Sequence, residues 1–507
     1  MNRTGNSFRN MGVSGLFMIL TYILTFYSRS VLINTIGKEL VGLNSTIVDI
    51  LGFLNLAELG IVSAVSGFLY TEIYKNDKHA INKLLSVFGY WYKIIGLSIL
   101  GISIIFSFFL PIVFKNVLIS IIDIYACYYC FLFTTLLGYF VNYTQTLLVA
   151  DQKEYLVTSV TNFFLIVKLI LQIILLTYLQ SYIIYLLCEI LFSVLYSSCI
   201  NKIVKKKYSW INVDLKTGRN ISKEYALLVK KIKYIIPHKV SAFVQYQSAN
   251  IIIYSFTSLS VVTIYANYTL ILMKGVSFLK LAFNGTIAGI GNLIAENNTD
   301  KILSVFKEYN SLFYYLGGVV VVCLYYFTPP FILLWLGDGY LLEKSTFLIL
   351  LFNVYINITR NAVMFFMGAF VLYEDIYAPI IEACITIFGS ILFGMYFGIF
   401  GVILGSSVSL LFVIAIWKPY YLFKKSFKIS VKVYWFDSIK YMIILLISIY
   451  ISSMLEILFP KPNSVETLLL YSILVFVSSS VSYAVLLLLT DCSFRNLTKR
   501  VIYLVKL

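Results

Sequence analysis

Apolar runs of about 20 residues follow one another along this chain with little interruption, and no other feature restricts its fold as strongly. A helix of that length just crosses the hydrocarbon core, where every backbone N–H and C=O must be bonded within its own segment. Counting the runs gives about 14 helical spans. Those used below are span 1 (11–33), span 2 (43–70), span 5 (157–179), span 6 (182–204), span 7 (237–257), span 8 (261–287), span 10 (346–372) and spans 13 and 14 (442–459 and 467–490). The 507 residues are 60% hydrophobic and only 12% charged, about half the charged share of a soluble domain. A soluble globular chain is excluded, and the expected fold class is an all-α integral membrane protein.

The net charge of +16 would point to nucleic acid in a soluble protein. Here the cations lie mostly in the short segments of one side. With the N-terminus inside, about 29 Lys and Arg fall in cytoplasmic segments and about four (Lys38, Lys115, Lys344, Lys461) outside. Both termini are therefore expected in the cytoplasm, with no nucleic-acid partner. Residues 205–239 form the longest polar stretch, with ten cations against Asp214 and Glu224, and read as a cytoplasmic joint between two membrane-embedded halves. Residues 11–33 are expected to be retained as a span, since no small-residue cleavage site follows them.

The two halves echo each other. KLLSVF (83–88) recurs as KILSVF (301–306), and FFLPIV (108–113) as YFTPPF (326–331), at a common shift of about 218 residues. Each repeat then holds six spans, and an even number puts both in the same orientation around a central cavity. The expected layout is a six-span lobe (1–204), a basic joint (205–236), a second six-span lobe (237–423), and two extra spans with a tail (424–507) packing at the periphery.

Inside the spans, six cations need water, an acid or a ligand: Arg29, Lys93, Lys168, Lys274, Lys280 and Arg360. Lys93 and Lys280 lie near span ends, where snorkelling accounts for them as well as function does. Lys168, Lys274 and Arg360 are central in spans 5, 8 and 10. Arg29 lies near the outer end of span 1 at a depth comparable to Asp49 of span 2, so the two either staple the first hairpin or face a ligand. Glu58, near mid-depth in span 2, either carries a proton or neutralises a neighbouring cation.

Enzyme chemistry finds no constellation. The outer loops are short and carry neither paired carboxylates nor a histidine, and no GxxxxGK[ST] phosphate loop is present. The seven cysteines fall almost all within spans; Cys127 and Cys130 form one CxxC, but no second pair accompanies it and no metal site or cofactor is expected. Transport is what remains.

Arg29 followed by IGKELVGLNSTIVDILGFLNLAELGIVSAVSGFLY (36–70) and YKNDKHAINKLL resembles the N-terminus of Wzx-type oligosaccharide flippases of the multidrug/oligosaccharidyl-lipid/polysaccharide exporter superfamily. The likeness is most specific in 37–60, and the second lobe matches in pattern. It implies an alternately opening cavity that moves polyprenyl-pyrophosphate-linked oligosaccharide across the cytoplasmic membrane of a bacterium, for capsule, O-antigen or exopolysaccharide synthesis. Arg29, Lys168, Lys274 and Arg360 would then contact the substrate, and Glu58 and Asp49 would couple an ion. The implied partners are the lipid-linked oligosaccharide and membrane lipids, with a polysaccharide polymerase as a further candidate. Two readings compete: a cation-coupled multidrug exporter of the same fold, which should show a net acidic cavity, and a membrane oligosaccharide polymerase, which needs a large outer loop.

Overall fold

The computed structural model describes residues 3–54, 61–221, 226–283, 286–372, 374–456 and 462–505. They are almost entirely helical, with no strand among them. In chain order the first half holds α1 (Arg3–Ile36), α2 (Lys38–Leu54), α3 (Ile61–Tyr74), α4 (Lys78–Ser107), α5 (Leu110–Val113), α6 (Ile121–Phe140), α7 (Thr146–Ala150), α8 (Glu154–Leu179), α9 (Tyr182–Lys207), α10 (Leu215–Ile221), α11 (Ala226–Gln247) and α12 (Ala249–Phe256). After α13 (Leu259–Ala282) come α14 (Thr286–Ala295), α15 (Thr299–Leu336), α16 (Lys344–Thr359), α17 (Asn361–Ala369), α18 (Tyr377–Ser409), α19 (Lys418–Leu422), α20 (Lys432–Glu456), α21 (Val465–Thr490) and α22 (Cys492–Val505).

Eleven segments of the described residues are long and apolar enough to cross a membrane. Their outward faces are apolar, as hydrocarbon requires: Phe388, Met395, Phe436, Leu446 and Leu489 are all exposed. One segment, Tyr377–Phe427, is a tight hairpin rather than a single rod. Gly398, at a φ of 55°, turns the chain, and Ser390 Oγ donates to Val402 O (2.7 Å) while Ser409 Oγ donates to Glu382 O (2.8 Å). Gly389 faces Gly405, and a Cβ on Gly401 or Gly405 would overlap the opposing backbone. Two expected spans are missing from the eleven. Span 2 includes residues 55–60, outside the described residues, and span 7 is divided between α11 and α12 at Ser248.

The chain forms two compact units, Met1–Thr263 and Ile264–Leu507. Residues 237–263, expected in the second lobe, thus belong to the first unit. The cause is local: Thr263 Oγ1 donates to Lys38 O (2.5 Å), and Gly42 approaches the Leu259 carbonyl so closely that no Cβ fits between them. α2 is thereby fixed to the start of α13.

The sequence echoes sit in equivalent places. KLLSVF lies near the start of α4, capped by Asp77, whose carboxylate accepts from His79 N and Ala80 N (3.0 and 2.9 Å). KILSVF lies near the start of α15, capped by Asn298. Phe88 and Phe306 are both fully buried, Phe88 against Tyr92 and Tyr143, and Phe306 among Phe366, Phe423 and Phe427.

Part of the basic joint is folded, contrary to a purely solvated loop. Asn82 Nδ2 donates to Trp210 O (3.3 Å) and its Oδ1 accepts from Asn212 N (3.0 Å), while Ser86 Oγ accepts from Asp214 N (3.0 Å). Asp214 then caps α10, and Gly218 lets α10 press on the backbone of α4 at Ser86. The side chains of 222–235 lie outside the described residues.

In the second unit α15 is the axis. Its 38 residues rise about 57 Å, nearly twice the hydrocarbon thickness. α21 follows α15, with Tyr471 against Tyr326 and Tyr483 against Gly318, and α22 continues along it through Phe494 against Tyr315 and the ion pair Arg500–Glu308 (3.1 Å). The C-terminal helices are therefore peripheral on one face only.

Candidate functional site

In the first unit, charged side chains gather between α1, α8 and α9. Lys168 and Gln172 stand one turn apart on α8, as do Tyr185 and Glu189 on α9, so each pair shares a face. Lys168 Nζ lies 2.8 Å from Glu189 Oε2, and Gln172 Nε2 donates to Glu189 Oε1 at 2.8 Å. Both oxygens of the carboxylate are engaged. Arg29 of α1 lies within electrostatic reach of the Tyr185 phenol, which brings it to the edge of the same cluster. Glu189 was absent from the expected site, yet a signal pointed to it: Gln172 and Glu189 stand eight residues on either side of the turn Gln180–Ser181, which places them level.

Asp49 on α2 takes its hydrogen bonds from Asn250 of α12, not from Arg29. Glu58 lies outside the described residues, as does the side chain of Lys280. Lys93 is exposed on α4, and Lys274 is half-buried on α13. The CxxC thiols act as donors inside the core, Cys127 to Asn44 Oδ1 (3.1 Å) and Cys130 to Leu186 O (3.3 Å). Among the described residues no group of His, Cys, Asp and Glu could hold a metal ion.

Arg360 lies at the boundary between α16 and α17. Its own backbone is α-helical, with a φ of −61° and a ψ of −18°, so Lys344–Ala369 runs as one membrane-length helix through it. Arg360 N still donates to Ile356 O and Met364 N to Arg360 O (3.0 Å each), while Asn361 Nδ2 caps Asn357 O and Ile358 O (3.1 and 2.8 Å). Facing it, Leu410–Trp417 is wound as a π-helix, a form that is rare and often marks functional sites. Between them lies a cavity of about 430 Å³, within the range of small-molecule sites.

The cavity walls are mixed. Ile356, Leu411, Ile414 and Met442 are apolar, whereas Tyr314, Tyr434, Trp435 and Arg360 bring polar tips. Tyr314 Oη donates to Ser438 Oγ (2.8 Å), and Trp435 Nε1 is buried with no acceptor among the described residues. α20, from an expected peripheral span, thus supplies one wall. A guanidinium in such a wall suits an anionic ligand, because it presents a planar fork of donors.

Other ion pairs brace the second unit. Lys418 and Asp375 meet at 2.7 Å with both side chains almost wholly buried, and Lys440 Nζ lies 2.5 Å from Asp491. Neither pair was legible from spacing, since each joins elements more than 40 residues apart.

No family model matches the sequence, and no curated protein matches it. Solved structures do. A lipid II flippase MurJ in an inward closed conformation superposes with a TM-score of 0.61 at 17% identity, over 94% of this chain and 99% of that one. An outward-facing multidrug-resistance MATE transporter of the MOP superfamily gives 0.58 at 15%, over 84% and 96%. A MOP-superfamily transporter from Pyrococcus furiosus, described as having a binding pocket of reverse polarity, gives 0.55 at 14%, over 84% and 96%. At these identities the likeness shows the fold alone: this chain shares the helical architecture of these three solved structures.

Proposed function

We propose that this protein is a flippase that carries polyprenyl-diphosphate-linked oligosaccharide across the cytoplasmic membrane of a bacterium by alternating access, for polysaccharide synthesis. The observation that carries the reading is Arg360, in the wall of a cavity that faces a π-helix. A diphosphate with its sugars cannot cross hydrocarbon unaided, and a desolvated guanidinium is the side chain best suited to receive it. Arg29 in the first unit and Lys274 in the second are, each within its own unit, further candidates for contact with an anionic cargo, and Asp49 and Glu58 are the candidates for ion coupling. Lys168 has a different assignment from the one its depth suggested, because its charge is already met by Glu189. It holds the first unit together.

Export of cationic drugs by the same fold is the alternative. It needs an acidic cavity, and the charged group in the wall of the second unit's cavity is an arginine. Deleting the gene in its source cell and assaying lipid-linked oligosaccharide in each leaflet separates the two. Accumulation in the inner leaflet is expected. An unchanged leaflet distribution, with raised sensitivity to cationic drugs, would favour the exporter.

A further inference from the structure

The helix that follows the α18 hairpin changes its winding twice. Leu410–Trp417 is a π-helix, α19 (Lys418–Leu422) is an α-helix, and Phe423–Phe427 is a π-helix again, closed by Lys428 at a φ of 54°. An α turn takes about 3.6 residues and a π turn takes more than four, so their alternation averages close to four. Residues four apart therefore stay in line along this helix, where in a plain α-helix they would drift around it by about 40° a step.

Two columns at that spacing stand side by side. Phe412, Ile416, Tyr420, Lys424 and Lys428 make one, and Trp417, Tyr421 and Lys425 make the other. Their side chains touch in register. Lys424 Nζ lies 5.4 Å from the centre of the Tyr420 ring and 3.1 Å from its Oη, and Lys425 Nζ lies 6.0 Å from the centre of the Tyr421 ring. The Trp417 ring is within 21° of parallel to that of Tyr421, with centroids 6.4 Å apart. Along the stripe the chemistry changes in one direction, from exposed Phe412 and Ile416, through rings with a polar tip, to exposed ammonium groups. A bilayer presents the same order from core through interface to headgroups, so the boundary of the hydrocarbon falls at Trp417–Tyr421.

The ammonium groups lack an internal counter-charge. No Asp or Glu occurs between Glu382 and Asp437. Glu374 and Asp375, in the loop before α18, lie within electrostatic reach of Tyr421, but Asp375 is already bonded by Lys418 at 2.7 Å. Among the described residues Lys424, Lys425 and Lys428 make no ion pair. We infer that this stripe binds the headgroup of an anionic phospholipid, with Lys424 and Lys425 on its phosphate and with Trp417, Tyr420 and Tyr421 against the glycerol and the upper acyl chain. The orientation expected from the distribution of charge puts this lipid in the inner leaflet. Ile416 also reaches the Arg360 cavity, whereas Tyr420, Tyr421, Lys424 and Lys425 do not line it. The site is therefore distinct from the one proposed for the cargo, and it holds whatever the cargo is.

The test titrates the purified full-length protein in detergent with phosphatidylglycerol or phosphatidylcholine and counts bound lipid by intact-protein mass spectrometry. The wild type should take its first phosphatidylglycerol about tenfold more tightly than phosphatidylcholine. Lys424→Gln with Lys425→Gln should remove most of that preference, and Lys424→Arg with Lys425→Arg should keep it, since the charge remains. Both positions are exposed, and a thermal midpoint near that of the wild type shows that each variant is folded. Lys205→Gln with Lys206→Gln, at exposed cations of the first unit, should leave the preference intact. A preference that survives the glutamine pair, or that Arg360→Ala abolishes in its place, overturns the site. So does an equal loss in the Lys205 and Lys206 variant, which would mean that bound lipid answers only to total charge. No preference in the wild type overturns it as well, and gives the stripe to an acidic protein segment.

Discussion

Lys168 Nζ lies 2.8 Å from Glu189 Oε2, joining α8 to α9 through a half-buried ion pair whose other carboxylate oxygen is held by Gln172. Depth alone marks Lys168 as a substrate contact. Geometry gives it a partner, and a cation so partnered contributes to the integrity of the first unit.

Removing one member of such a pair leaves an uncompensated charge away from water, which costs roughly 3–5 kcal/mol. Glu189→Ala is expected to lower the thermal midpoint sharply. Lys168→Met combined with Glu189→Leu should restore most of the loss, and with it the transport rate. A stable double variant with no transport would return Lys168 to the substrate path.

Asp491, between α21 and α22, gives a pH-dependent prediction. Burial pushes its carboxyl up, but hydrogen bonds from Lys440, Phe494 N and Tyr441 outweigh that and hold it below the usual carboxylate range. A carboxyl depressed in the folded state contributes stability that is fully present above its unfolded pKa of about 4 and is lost as pH falls through its lower folded value. Wild type and Asp491→Asn should therefore differ in thermal midpoint at pH 7, and the gap should close as the pH is brought towards 3. A gap that persists unchanged into acid would mean that the carboxylate charge contributes nothing.

The α18 hairpin predicts a steric effect. Its legs meet with Gly405 against Gly389 and Ser390, backbone to backbone. Gly405→Ala forces a Cβ into atoms that cannot rotate away, and overpacking of this kind costs about 1–3 kcal/mol or more. Gly101, whose Cβ would meet open space, is the control, and Gly101→Ala should be neutral or slightly stabilising. Equal midpoints for the two variants would contradict the close approach.

Topology is open to labelling. A cysteine introduced at Lys206 or Lys216, both exposed, should escape a membrane-impermeant reagent applied to sealed cells. Labelling at either position would reverse the orientation.

The architecture was legible because bilayer physics leaves little choice once runs of 20 apolar residues are present. Local chemistry that depends on tertiary approach was not. Nothing in residues 208–221 announces that Asn82 and Ser86 will bond their backbone, or that Gly218 will admit α10 to α4. The π-helix at Leu410–Trp417 has no signature, since an unbroken apolar run reads alike as α or π. Arg360 stood out as a charge within an apolar span, but the cavity it lines did not, because the other walls come from Tyr314 and from residues 411–442, far from it along the chain.

Arg360 is the residue on which anion handling by the second unit depends. The decisive measurement is the rate at which proteoliposomes containing Arg360→Lys or Arg360→Ala translocate lipid-linked oligosaccharide, alongside a thermal midpoint for each. An ammonium replaces a planar fork poorly, so Arg360→Lys should flip at a reduced rate and Arg360→Ala should nearly stop, about 100-fold or more below wild type if one charge-assisted contact of roughly 3 kcal/mol is lost, with midpoints close to wild type. A well-folded Arg360→Ala that flips at the wild-type rate would contradict the claim that this cavity handles an anionic cargo.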